Sequence, residues 1–458
     1  MLEQTLDQWE FDSAHLMIGK GHLPLNNTTK YSLKAHLHEW DLQELQTIQT
    51  FISELHFEQP QSTENNAQSA DLTIDIDIDQ LTLAETRLGS VSLALKKRNP
   101  DWYGKIGGSV ATGTFSYIPG TESDTKNLTP HRGEINLNLE TFNVVDTSSL
   151  TKAQTSITND DSLAFLPDQF PAMIITVDQL VWDDFDMGKL FLETSTIENG
   201  LLIDTFTINS TQHQFSASGQ WVTHESMMET HLKGMLQSKN MGHILNKFGI
   251  YEDIRKTAAK IDFNLGWQAS PFLIDWQSLG GKISFKLKHG RLLGVEPGIG
   301  RALGLFSLSA WERRLRFDFS DVVNKGFAYD NVDVEFALFN GNAYSANFKI
   351  DGVAARVNFA GRIGLLAKDI DAVVTVIPRS SIALPLVGAA GGPIGIGAGL
   401  VMQQVIGNQF ETLSSSEYTI TGQWTNPKIT LVPENGGIFT RMLWELQKIT
   451  GIQDSTAQ

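Results

Sequence analysis

The sequence predicts a mainly β protein, built as a repetitive antiparallel sheet with a few helices, chiefly C-terminal. Three observations carry that fold class. Apolar and polar residues alternate with a period of two along many short runs. One such run returns later in the chain with its turn residues in register. Stripes of helical period are sparse and short.

In chain order, "DLQELQTIQTFISEL" (41–55) is the first helical stripe, with Leu42, Leu45, Ile48, Phe51, Ile52 and Leu55 on one side. "LTIDIDID" then places Leu72, Ile74, Ile76 and Ile78 on one face and Thr73, Asp75, Asp77 and Asp79 on the other. That is a strand with one buried and one solvated face. "GEINLNLETFNV", "GKLFLETSTIENGLLIDTFTINS", "GKISFKLKHGRLL", "VDVEFALFNGNAYSANFKIDG" and "AARVNFAGRIG" repeat the pattern, punctuated by Gly and Asn/Asp turns. Residues 78–95 align with 177–194 at an offset of 99: Asp79, Gln80, Leu81 and Gly89 match Asp178, Gln179, Leu180 and Gly188. A unit used twice can share one continuous core with its neighbour. "NMGHILNKFG" (240–249) starts a helix at Asn240 and stops it near Gly249. "GIGRALGLFSLSAW" (298–311) and the amphipathic "IFTRMLWELQKIT" (438–450) are the remaining helices. "EQPQSTENNAQSA", "PGTESDTKNLTP" and "TSSLTKAQTSITNDD" are polar loops. The chain thus divides into N-terminal strands plus helix (1–70), repetitive β units (71–261), a third region (262–433) and a C-terminal helix and tail (434–458).

The composition narrows the chemistry. A formal net charge of -17 excludes a nucleic-acid surface over the whole chain. The absence of cysteine removes disulfides and thiolate sites. The first residues are polar, with neither a basic nor an apolar signal region, so the chain reads as cytoplasmic or as lacking an N-terminal portion. "HESMMETH" (224–231) is not a zinc motif: Met228 stands where the second histidine must be, and the run reads as strand and turn. His36 and His38 share a strand face without a third ligand, and Asp71, Asp75, Asp77 and Asp79 lack a calcium-type loop. Gly298, Gly300 and Gly304 are not spaced for phosphate, and no GxSxG occurs. No catalytic group, metal or cofactor is expected.

Two stretches invite a lipid reading and a plain one. Lys282, Lys286, Lys288, Arg291, Arg301, Arg313, Arg314 and Arg316 are opposed over that span only by Glu296 and Glu312. They are either a solvated face or a contact for anionic headgroups. Residues 380–410 carry no charge, and 382–407 contain Pro385, Pro393 and many glycines. This segment either packs internally or meets a membrane, with Leu386, Val387, Ile394, Ile396, Leu400 and Val401 as its apolar contacts; Gly and Pro disfavour one stiff spanning helix.

From about residue 262 onward, "FNLGWQASPF", "GRLLGVEPGIGRALGLFSLSAWERRLRFDFSDVVNKGFAYD", "NGNAYSANFKIDGVAARVNFAGRIGLLAKDIDAVVTVIP", "LPLVGAAGGPIGIGAG" and "YTITGQWTNP" resemble the C-terminal region of the YhdP-like branch of the AsmA-like family. Residues 1–261 fit more loosely. The resemblance implies a Gram-negative envelope protein, anchored in the inner membrane through an N-terminal part absent here. It implies a long curled, taco-like sheet whose apolar groove carries phospholipid to the outer membrane through the periplasm. The residue pattern fits a non-enzymatic conduit. Each exposed CH₂ costs about 0.8 kcal/mol, on the order of 12 kcal/mol for a long acyl chain, and an unbroken apolar trough lowers that barrier. The acyl chains are expected along Ile74, Ile76, Ile78, Leu190, Leu192, Phe336, Leu338, Phe348 and Ile350. The basic cluster would meet headgroups, and 382–407 the outer membrane. The alternative is a structural or assembly factor for outer-membrane biogenesis with a filled core and no lipid.

Overall fold

The structure is a computed structural model. It describes residues 2–5, 8–11, 14–20, 31–41, 72–83, 86–98, 100–120, 132–144, 166–182, 184–224, 227–247, 254–255, 257–292, 327–353, 355–379 and 416–432. The expected helices 298–311 and 438–450, the uncharged segment 382–407 and all of the expected helix 41–55 except Asp41, which ends a strand, lie outside these residues. The chain divides into two compact units, residues 1–211 with 216–228 and residues 212–215 with 229–458.

The first unit opens with a separate hairpin of β1 (Leu2–Thr5) and β2 (Gln8–Phe11). Its main sheet follows the chain: β3 (Ala14–Ile18), β4 (Tyr31–Asp41), β5 (Leu72–Leu83), β6 (Thr86–Arg98), β7 (Asp101–Gly107), β8 (Ala111–Pro119), β9 (Gly133–Val144), β10 (Ala172–Trp182), β11 (Phe185–Ile197) and β12 (Gly200–Asn209). β13 (His213–His224) and β14 (Met227–Ser238) come next, so the histidine-rich run at 224–231 falls on two strands, with residues 225–226 between them outside the described residues. In the second unit α1 (Met241–Lys247) follows, close to the bounds its caps predict. The sheet continues as β15 (Ile254–Arg255), β16 (Ala258–Trp267), β17 (Gly280–Leu292), β18 (Phe327–Phe339), β19 (Asn342–Gly352), β20 (Ala355–Gly364), β21 (Asp369–Pro378), β22 (Ser416–Gln423) and β23 (Lys428–Val432). Each unit is thus dominated by one curled, unclosed sheet of successive strands, the fold class expected.

The pairing departs from a pure antiparallel meander where β14 pairs directly with β16 and β15 with β17, and at three parallel joins. β3–β4, β4–β5 and β9–β10 are parallel. Parallel neighbours need a connection of a dozen or more residues. Residues 19–30, 42–71 and 145–171 supply it, and two of the polar stretches read as loops fall there.

The internal echo is a structural repeat. In β5–β6, Ile78 faces Val91, the register then slips, and Leu81 faces Gly89. In β10–β11, Val177 faces Leu190, the register slips, and Leu180 faces Gly188. Each of these residues has its counterpart 99 positions on. Both glycines have positive φ, 125° and 89°, the conformation that a bulge of this kind demands. Each hairpin is also preceded by a parallel neighbour, β4 or β9, so the repeated unit is larger than the hairpin.

Candidate functional site

Because strand side chains alternate, residues paired across a ladder share a face. Ile74, Ile76 and Ile78 therefore stand with Leu33, Ala35 and Leu37 of β4 and with Leu95, Leu93 and Val91 of β6. Following the register onward, Leu95 leads through Gly104, Phe115 and Leu137 to Ile175, Leu192 and Phe206. This row crosses β4 to β12 without a charged or polar side chain, a span of about 40 Å at ordinary strand spacing. Every member from Leu33 to Phe206 is half-buried. Half-burial is not confined to this face, since Lys34, Asp75, Ser116, Asn136 and Thr205 of the opposite face are half-buried too, and Ile175 packs against a buried cluster; what sets this row apart is that it is apolar throughout.

The next row, Ala35, Ile76, Leu93, Ile106, Gly113, Leu139, Val177, Leu190 and Ile208, is also apolar. Its centre is tighter, since Leu139 and Val177 pack with Val110, Ala111 and Leu180 in a buried cluster. Ile78 is buried as well, whereas Ile74, Ile76, Leu190 and Leu192 are half-buried. Near the strand ends the same face turns amphipathic. Lys97 pairs with Trp102 and Trp102 with Tyr117, and the Lys97 ammonium sits 5.6 Å from the Trp102 ring centre. A cation on the apolar face is not legible in the strand's pattern, because "KKR" reads as a solvated end.

The opposite face is polar and partly ion-paired: Lys34 with Asp75 at 3.8 Å, Lys189 with Asp178 at 2.9 Å. His36 and His38 both approach Asp79, at 3.4 and 3.3 Å. Among the described residues no cluster of His, Asp or Glu is arranged to hold a metal.

Arg132 is a structural pin that no pattern announces. Its guanidinium donates to the carbonyls of Ile197, Glu198 and Gly200, tying the start of β9 to the β11–β12 turn. Partial burial lowers its pKa from the ordinary arginine value.

In the second unit the apolar face starts half-buried. Ile261, Phe263 and Leu265 of β16 pair with Phe285, Ile283 and Gly281 of β17, and these with Val334, Phe336 and Leu338 of β18. Phe336 and Leu338 are half-buried, whereas Phe348 and Ile350 are buried. A chain of ring contacts crosses four neighbouring strands: Phe285 to Phe336 at 6.3 Å, Phe336 to Phe348 at 6.0 Å, Phe348 to Phe359 at 5.5 Å. It leads from the half-buried face into a closed core containing Val357, Ile370, Val374, Tyr418 and Ile420. Ala360 and Val373, on the reverse face of β20–β21, are also fully buried. Lys282, Lys286 and Lys288 lie on the face opposite Ile283, Phe285 and Leu287, and Lys282 reaches Glu335 at 3.7 Å. The side chain of Arg291, together with Arg301, Arg313, Arg314, Arg316 and residues 382–407, lies outside the described residues.

Two buried polar contacts hold the start of β16. Thr257 and Tyr329 share a hydroxyl–hydroxyl hydrogen bond of 2.8 Å, and burial raises the Tyr329 pKa. The Met241 amide of α1 donates to the Thr257 carbonyl at 2.7 Å. His213 bonds Ser238 at 2.9 Å; burial first, and His243 second, lower its pKa.

Comparison with known proteins matches residues 1–429 to the family model described as YhdP protein. A curated relative, the intermembrane phospholipid transporter YhdP of Escherichia coli (strain K12), is 28% identical over 239 residues. That match covers 52% of this chain and 18% of the relative's length. No solved structure matches.

Proposed function

The chain belongs to the YhdP protein family, and from that premise we propose that it is a non-enzymatic phospholipid conduit between the inner and outer membranes of a Gram-negative envelope. The observation that carries this reading is the half-buried apolar row from Leu33 to Phe206, continuous over nine strands. Acyl chains lie on that row and on its neighbour through Ile74, Ile76, Leu190 and Leu192. In the second unit the cargo reaches Phe336 and Leu338, beside the closed core that holds Phe348 and Ile350. Lipid travels along such a surface without a bond being made or broken, so the chain supplies solvation and not chemistry. The curated relative's name, intermembrane phospholipid transporter, supports the cargo class. On this reading the protein works in the periplasm, with 382–407 and the basic run 282–316 meeting the receiving membrane.

The test is the lipid content of the purified chain. Mass spectrometry after gentle extraction finds bound phospholipid if the face is a conduit. A chain free of phospholipid would favour the structural or assembly role and overturn this proposal.

A further inference from the structure

At one end of the second unit's sheet, the strands finish level. Gly281 pairs with Leu338, Leu338 with Ala343, Ala343 with Ile363, Ile363 with Ile370 and Ile370 with Gly422. The turns just beyond this row therefore lie side by side. They carry large exposed apolar side chains: Phe272 (82%), Ile274 and Trp276 between β16 and β17, Phe339 (60%) at the end of β18, and Leu366 between β20 and β21. At the other ends of these strands the only such residue among those described is Val353.

These tips are ordered. The 268–279 loop is closed on itself by bonds from Leu273 to Ser270, Leu279 to Asp275, and Gln277 and Ser278 to the Asp275 carboxylate. The Leu365 amide donates to the Gly341 carbonyl, and the Leu366 side chain lies over Gly341, where a Cβ would meet it at 2.6 Å. Trp424 donates through its amide to the Lys368 carbonyl and through its indole to the Asp369 carbonyl. The β18–β19, β20–β21 and β22–β23 turns are thus joined to one another, and the 268–279 loop stands at the same end of the sheet. Exposed apolar groups on a pre-organised surface mark a contact site.

The charges on this edge favour one occupant. Asp275 spends its carboxylate inside its own loop, and Asp369 is held by Arg362 through paired bonds of 2.8 and 2.9 Å. Lys368 and Lys428 are exposed beside Leu366 and Trp424. An edge of aromatic and aliphatic tips flanked by lysine complements the interface of an anionic bilayer, where aromatic rings sit at headgroup level and lysines meet lipid phosphate. We propose that the turns containing Phe272, Trp276, Phe339 and Leu366 dock the second unit on an anionic phospholipid bilayer surface. This site is separate from the apolar face that would carry cargo and stands whether or not that face holds lipid.

The absence of cysteine makes the test direct. Single variants Phe272→Cys, Leu366→Cys and Asp333→Cys in the full chain are labelled with an environment-sensitive fluorophore; Asp333 is exposed in the middle of β18, away from both strand ends. They are mixed with vesicles of phosphatidylcholine alone or with phosphatidylglycerol. Labels at 272 and 366 brighten and shift to the blue with the anionic vesicles, less with neutral ones, while 333 is unchanged. Combining Phe272→Ser, Trp276→Ser and Leu366→Ser weakens vesicle binding by about tenfold or more and leaves the far-UV circular dichroism unaltered. No response at 272 and 366, an equal response at 333, or full vesicle binding by the triple variant overturns the proposal, as does an edge that binds only protein. Lipid content of the purified chain is read separately, so failure of docking and failure of the conduit are told apart.

Discussion

Ile76 stands between Ala35 and Leu93 on the apolar face, half-buried. Its exposed portion lets a carboxylate there keep water, so Ile76→Asp is expected to fold. A buried ion without water or a partner would not be tolerated. The charge nevertheless sits where an acyl chain would lie. Bound phospholipid should fall several-fold in Ile76→Asp and stay unchanged in Asp77→Asn, which alters the opposite face; equal lipid content in both variants would count against the cargo path. Arg132 raises a different question, since its bonds go to carbonyl groups and not to a cargo surface. Arg132→Ala leaves the Ile197, Glu198 and Gly200 carbonyls without that donor. A loss of about 2 kcal/mol is expected in denaturant unfolding, with the 198–200 turn the first point of proteolysis. Ile76 is legible in sequence because alternation assigns it a face. Arg132 is not, because its partners lie 35 to 68 positions away and are backbone.

At the scale of elements, alternation specified faces and left pairing direction open. A strand reads apolar-in and polar-out whether its neighbour runs parallel or antiparallel, so the parallel joins at β4–β5 and β9–β10 were not legible. The repeated hairpin was legible, because its bulge requires a glycine in a fixed place. That glycine is not equally constrained in the two copies. A Cβ on Gly188 would lie 2.1 Å from the Asn209 carbonyl oxygen, which is backbone. On Gly89 the nearest atom is the Ser109 hydroxyl at 2.4 Å, which can rotate away. Both substitutions strain a positive φ, at a cost of about 1–3 kcal/mol, and Gly188→Ala should be the more destabilising in thermal or denaturant unfolding. His213 of β13 adds a pH dependence. It is buried against Ser238, and burial first and the charge of His243 second lower its pKa. Its folded pKa lies below the unfolded value near 6.5, so the unfolded chain binds the extra proton first. Stability should hold above about pH 6.5 and decline as pH falls below it. His213→Gln should flatten that decline; an unchanged slope would assign the acid sensitivity elsewhere.

For the molecule as a whole, the question is where the apolar face is open. Isoleucine alternates with aspartate in β5, and valine, phenylalanine and isoleucine alternate with polar or small residues in β20. Yet Ile74 is half-buried, whereas Phe359 is 1% exposed. Sequence period therefore reports which side chains share a face, and says nothing of whether a second layer covers them. Covering is a property of packing from elements distant in the chain. The two units differ in this respect: the row from Leu33 to Phe206 is half-buried along its length, while the second unit's face becomes buried from β18 onward in the core around Phe359. A conduit should then carry lipid on the open stretches and exclude it from the closed one. A photoreactive phenylalanine analogue at Phe115, Phe206 and Phe263 should each yield a phospholipid adduct in cells. The same analogue at Phe359 should not, and neither should one at Thr114, on the polar face one residue from Phe115. Adducts of equal yield at positions 114 and 115 would mean that lipid is merely adsorbed to the surface. An adduct at 359 would mean that the core opens in the cell, and the distinction between open trough and closed core would have to be abandoned.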